Sequence, residues 1–185
     1  MIFYLDTGLF IDYLTPRGHR NSGLRTADRR GRTVDDIFKD SEQLLEHILK
    51  KSIHQAVTSA LTYYEVEEAL FKQLSMATKG ISHASIVLVP MARSIVAQMN
   101  ATVRYYGIGI TDLTAATIEA QGRERELDIR GIRAADSLHV VTAMSIGAEV
   151  LVSSDDAVLS LDAVLTNAQG RRLRCVDSDI ALTLI

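Results

Sequence analysis

Met1-Ile2-Phe3-Tyr4-Leu5-Asp6-Thr7-Gly8-Leu9-Phe10-Ile11-Asp12 opens the chain, and how it is read decides the fold. Ile2 to Leu5 form a short unbroken apolar run, which suits a strand buried on both faces of a parallel sheet. Asp6 follows at once. Thr7 and Gly8 come next, then Leu9-Phe10-Ile11 and Tyr13-Leu14, which read as the start of a helix. A carboxylate at the carboxyl end of a central strand stands where open α/β sheets place their chemistry. The bland alternative is that Asp6 caps the helix after it.

The rest of the chain repeats this alternation. Residues 55–58, 109–110, 150–152 and 173–176 read as further strands, the second of them brief enough to be a loop. A helix is predicted over 34–51, with Ile37, Leu44, Leu45, Ile48 and Leu49 at helical spacing. Another opens at Ser59 or Thr62 and runs to about residue 76. Residues 81–106 are mostly helical, with Pro90 expected to break, kink or restart the run. Thr111-Asp112 or Thr114 caps a helix through Leu127. Residues 134–146 form a strong helix that stops at Gly147, residues 157–164 a short one, and Asp177 opens a tail or short helix. Strands alternating with helices predict an α/β fold, a three-layer α/β/α sandwich around a central parallel sheet.

Composition narrows the class. A chain of 185 residues predicts one domain with a real core. The apolar share of 47% is ordinary for a soluble globule, and no apolar run is expected to span a membrane. Asp6 interrupts the first apolar run and no basic segment precedes it, so no signal peptide is expected. Cys175 is alone, which excludes a disulfide framework and a Cys-rich zinc site and suits a reducing cytoplasm. The net charge of −3 is uninformative, but its distribution is not. Residues 16–33 hold Arg17, Arg20, Arg25, Arg29, Arg30 and Arg32 against the single acid Asp28. This segment carries about +5 and the remainder about −8. It reads as a long, mobile surface loop inserted in the domain, either a solvated spacer or a nucleic-acid contact.

Three more acids share the placement of Asp6. Glu65 lies just past the second strand, Asp136 in the first turn of the 134–146 helix, and Asp155 just past the 150–152 strand. Each has an ordinary explanation: an acidic helix face, dipole complementation, a turn residue. Together they fall at strand exits or helix starts, which share one edge of a parallel sheet. Two like charges 5 Å apart cost roughly 3 kcal/mol at an effective dielectric near 20. Four acids at one place therefore require protons or a cation. Oxygen ligands favour a hard ion, Mg²⁺ or Mn²⁺. Asp12 reads as a surface residue and His139 as a packing or hydrogen-bonding one.

The segments Asp6-Thr7-Gly8-Leu9-Phe10-Ile11-Asp12-Tyr13-Leu14, Thr62-Tyr63-Tyr64-Glu65, Ala135-Asp136-Ser137-Leu138-His139 and Leu151-Val152-Ser153-Ser154-Asp155, in this order, resemble the PIN-domain family and, within it, the VapC-type toxin ribonucleases. The resemblance covers nearly the whole chain outside residues 16–33. It implies a Mg²⁺- or Mn²⁺-dependent endoribonuclease with Asp6, Glu65, Asp136 and Asp155 as the catalytic acids and Asp6, Asp136 and Asp155 on the metal. It also implies an RNA substrate cut to a 5′-phosphate and a 3′-hydroxyl, a homodimer, and a cognate VapB-type antitoxin. The chain departs from the family at Gly8, where Asn is usual, at Ser153, where Thr is common, and at Val158, where an aromatic is common.

Rival readings have discriminating features. A haloacid-dehalogenase-type phosphatase needs an Asp at position 8, where Gly8 stands. A DNA nuclease of the same fold separates only by substrate assay. A non-catalytic PIN-fold module binding RNA or protein fits the loss of a polar side chain at Gly8 and is opposed by the four retained acids.

Overall fold

The computed structural model describes residues 1–14, 27–51 and 53–185. Five parallel strands form one sheet: β1 (Ile2–Leu5), β2 (Gln55–Ser59), β3 (Gly109–Thr111), β4 (Val150–Val152) and β5 (Arg174–Val176). Their spatial order is β3-β2-β1-β4-β5, so the first strand is central. Phe3 pairs with Ala56 on one side and with Val150 on the other.

The unbroken apolar run of β1 has a simple cause. Side chains alternate across a strand, and here both faces are covered. Phe3 and Leu5 point into one core with α1 (Thr7–Leu14), α2 (Val34–Lys50), α3 (Ala60–Ala77), α4 (Ser85–Tyr105) and α9 (Ser178–Leu182). Tyr4 points the other way, into a core with α6 (Arg125–Ile129), α7 (Ala134–Ser145) and α8 (Asp156–Leu159). α5 (Ala115–Gln121) completes this second layer, packing on α7. The three-layer α/β/α sandwich expected from the alternation is present.

The strand order reverses beside β1. The chain moves outward from β1 through β2 to β3, then crosses back to β4 on the far side of β1. Such a switch point opens a crevice at the carboxyl ends of the two strands that flank it. Asp6 leaves β1 there and Ser153 leaves β4 there, with the Asp6 amide donating to the Val152 carbonyl at 3.0 Å.

Several local expectations change. Helix α4 runs unbroken through Pro90. Pro90 and Ile86 both face solvent, so the carbonyl deprived of its partner is open to water. The buried stripe Leu88, Ala92, Ile95, Met99 and Val103 holds the helix in place. This helix is also long and apolar enough, by length and composition, to cross a membrane, whereas no such run was expected. Here it forms part of one helical layer, against α3 and α1. The helix expected to reach Leu127 is two, α5 and α6, parted at Gly122 by tight turns. Leu49 is exposed, on the outer face of α2. Residues 27–33 of the expected mobile loop are ordered, with Arg29 and Arg32 bridged as an antiparallel pair. A capping box of Thr33 and Asp36 starts α2.

Candidate metal centre

Asp6 is 5% exposed at the carboxyl end of β1. One oxygen accepts the Thr7 amide at 2.6 Å and the other accepts the Ser153 hydroxyl at 2.6 Å. Two neighbouring strands thus fix a single carboxylate, and Ser153 supplies the hydroxyl that Thr would. Glu65 projects from the second turn of α3 into the same crevice. Its Oε2 accepts from the Thr7 hydroxyl and, at 2.6 Å, from Nε2 of His139. Glu68, three residues on, faces solvent.

His139 comes from α7, one turn after Asp136. It is buried, and its Nδ1 meets the Tyr4 hydroxyl at 2.7 Å. Its Nε2 is 3.4 Å from Asp6. Asp6, Glu65 and His139 each place a ligand-capable atom within 4.8 Å of the others. The hydrogen-bonding role expected of His139 is therefore real, but it is exercised inside the acidic cluster. Its signal in the sequence was only its position, three residues beyond Asp136 on the same helical face.

Charge ties the remaining acids to this group. Burial, then the charges of Asp155, Asp6 and Glu65, push the Asp136 carboxyl up to about 6, with His139 pulling the other way. The Asp136 carboxyl thus feels the charges of the other three predicted acids. Asp155 also caps α8: its Oδ1 accepts the Ala157 amide at 2.7 Å and the Val158 amide at 3.4 Å. Burial would raise the Glu65 carboxyl, but the hydrogen bond and charge of His139 and the Thr7 hydroxyl outweigh it and hold it below its ordinary value. Burial would lower the His139 imidazole, but its bond to Glu65 and the charges of Asp6, Glu65 and Asp136 hold it above its ordinary value. Each group thus favours the charged form of the other. Tyr4, buried beside these charges, is kept as a neutral phenol.

The donor chemistry fits a divalent cation. The Asp6 and Glu65 carboxylates meet the His139 imidazole within ligand reach, and nearby negative charge raises Asp136. Oxygen donors dominate, as Mg²⁺ and Mn²⁺ prefer. At Gly8 a side chain would require Ser154 to shift, because a Cβ there would lie 2.2 Å from the Ser154 Oγ and 3.1 Å from its Cβ.

A chain of the crystal structure of VapBC2 from Rickettsia felis, bound to a DNA fragment from their promoter, superposes with a TM-score of 0.52. The match covers 96% of this chain and 100% of that one at 18% identity. The fold is PIN-like. No protein-family model and no curated protein matches the sequence.

Two predicted features stand apart from this acidic cluster. Arg17, Arg20 and Arg25 lie outside the described residues. Arg29, Arg30 and Arg32 make ion pairs within the chain, to Asp12, Asp177, Asp156 and Asp40. Asp12, expected at the surface, is only 4% exposed. Its oxygens meet the Arg29 guanidinium at 3.0 and 2.5 Å, a partner seventeen residues away that helical periodicity cannot reveal.

Proposed function

We propose that this protein is a Mg²⁺- or Mn²⁺-dependent endoribonuclease, the toxin of a VapBC-type pair. What supports the proposal is the grouping of Asp6, Glu65 and His139 at the switch point of a PIN-like sheet, with the charges of Asp155, Asp6 and Glu65 acting on Asp136. Asp6, Asp136 and Asp155 would hold the ion, Asp155 with the oxygen its helix cap leaves over. A bound divalent ion supplies an activated water and shields the charge that develops on a phosphate.

The chain's own residues do the positioning. Glu65, ionised and held by His139 and Thr7, orients the attacking water. Tyr4 buttresses the far side of the imidazole. Ser153 and the Thr7 amide hold Asp6 in one orientation, so the site is organised before substrate arrives. Arg17, Arg20 and Arg25 are the cations assigned to RNA phosphates. A cognate VapB-type antitoxin and a second copy of this chain are the proposed protein partners. The exposed apolar residues Ile86, Val87 and Met91 on α4 support a partner surface.

Cleavage of tRNA and rRNA, with and without Mn²⁺, tests the proposal. Metal-dependent cutting is expected, and Asp6→Asn should abolish it while the fold survives. Full activity in that variant would refute the assignment. A protein that binds RNA but neither cuts it nor takes up Mn²⁺ would be a non-catalytic module instead.

A further inference from the structure

Three arginines gather around Asp177 at the end of β5, where the proposed chemistry uses none of them. Arg29 and Arg32 bridge across a two-residue turn, their backbone bonds 3.1 and 3.0 Å long. Its tip is Arg30-Gly31, at φ 49° and 74°. Positive φ at both central positions is the signature of the primed hairpin turn, and an arginine there is strained. Such strain persists only where the surroundings hold it.

Arg29 is the anchor, forked between Asp12 and Asp177 at four bonds of 2.5 to 3.0 Å. Arg32 ties Asp177 to Asp40 on α2. Arg30 does something different. One nitrogen donates to Asp177 at 2.7 Å. The other donates to the Ser154 carbonyl at 2.9 Å and to the Asp156 carboxylate at 2.6 Å. These are the residues on either side of Asp155.

We propose that Arg30 is a positioning residue, whose guanidinium grips the backbone and side chain flanking Asp155 and so sets that carboxylate toward the acidic cluster. The opposite side of the same loop is fixed as well, since Ser154 packs into the space left by Gly8. The Asp156 side chain is 91% exposed, so the pair with Arg30 is weak in energy. Its value is geometric: one fork joins the loop to a strongly anchored turn. The consequence for cation binding rests on the reading of Asp155 as a metal ligand.

Arg30→Gly tests this without threatening the fold, because glycine accepts the positive φ and relieves the strain. Its melting temperature is expected within about 2 °C of the parent. Two measurements follow on the full chain. Hydrogen exchange at the amides of Asp155, Ala157 and Val158 reads the loop, and calorimetric titration with Mn²⁺ reads the site. Protection is expected to fall and the Mn²⁺ dissociation constant to rise about tenfold, as for other groups that orient ligands. Arg30→Lys, which keeps charge without the fork, should restore only part. Unchanged protection overturns the proposal. Lost protection with unchanged Mn²⁺ affinity makes Arg30 a structural brace and also overturns it. Absence of Mn²⁺ binding in the parent protein fails the metal reading instead, and the exchange data then still decide whether Arg30 holds the loop.

Discussion

Nε2 of His139 lies 2.6 Å from Oε2 of Glu65, joining α7 to α3 across 74 residues of chain. Each partner favours the charged form of the other, and Tyr4 holds the imidazole from behind. Replacing His139 with Ala leaves the partly buried Glu65 carboxylate with the Thr7 hydroxyl but without its imidazole donor. The expected outcome is a fall in kcat of about 10–100-fold with KM for RNA little changed. Steady-state kinetics with Mn²⁺ checks it, and an unaltered kcat removes His139 from the site's working parts.

Asp136 carries the opposite signature. Its raised pKa means that ionisation costs folding stability as pH climbs from about 4 to about 6. Asp136→Asn should therefore stabilise the metal-free protein at pH 7.5, by about 1–2 kcal/mol after discounting for solvent screening. The gain should vanish near pH 4, where the parent side chain is protonated. Added Mn²⁺ should raise the melting point of the parent and leave that of the variant nearly fixed.

Gly8 has a steric reason to be glycine. A Cβ there would stand 2.2 Å from the Ser154 Oγ and 3.1 Å from its Cβ. Gly8→Ala should cost about 1–3 kcal/mol, read by urea unfolding. Adding Ser154→Ala removes the worst contact and should return part of the loss. Additive penalties in the double variant would show that the two positions do not press on each other.

The Arg29 network predicts a pH-dependent stability. Burial alone would raise the Asp177 carboxyl, but hydrogen bonds and charge from Arg29, with help from Arg32, hold it below its ordinary value. A lowered carboxyl stabilises the fold above its unfolded pKa, and that contribution is lost as pH falls through the lower folded value. Arg29→Met should cost about 1.5–3 kcal/mol at pH 7, because it removes the charged fork joining Asp12 to Asp177, each with a side chain only 5% exposed, while Arg30 and Arg32 stay on Asp177. The gap between variant and parent should narrow below about pH 4. Denaturant unfolding at pH 7 and pH 3 measures both.

For RNA affinity, Arg17, Arg20 and Arg25 are the arginines to neutralise, since Arg29, Arg30 and Arg32 are held on Asp177. Changing all three to Ser should weaken binding and lower the salt slope by about 0.7 per lost phosphate contact. An unchanged slope would demote these residues to a spacer. Deleting residues 17–32 outright would confuse the test, since it removes Arg29, Arg30 and Arg32 from Asp177.

Much of the fold was legible because it is written in local pattern. Ile2 to Leu5 could only be a strand covered on both faces, and the alternation of strands and helices implied crossovers and a parallel sheet. The meeting of Asp6 and Glu65 was legible for the same reason: strand exits and helix starts share one sheet edge. Helix ends were harder. The division of α5 from α6 turns on a few backbone bonds near Gly122, and the continuity of α4 through Pro90 on packing that periodicity does not weigh.

The linear order of residues was enough to establish the layers, the central strand and the edge at which Asp6 and Glu65 meet, since periodicity and strand termini are local properties. It could not reveal that His139 would brace Glu65, or that Arg29 would bury Asp12 and bind Asp177 across 148 residues. Those pairings exist only once the strand order β3-β2-β1-β4-β5 brings distant segments side by side, and long-range electrostatic partners leave no periodic trace in the chain that makes them.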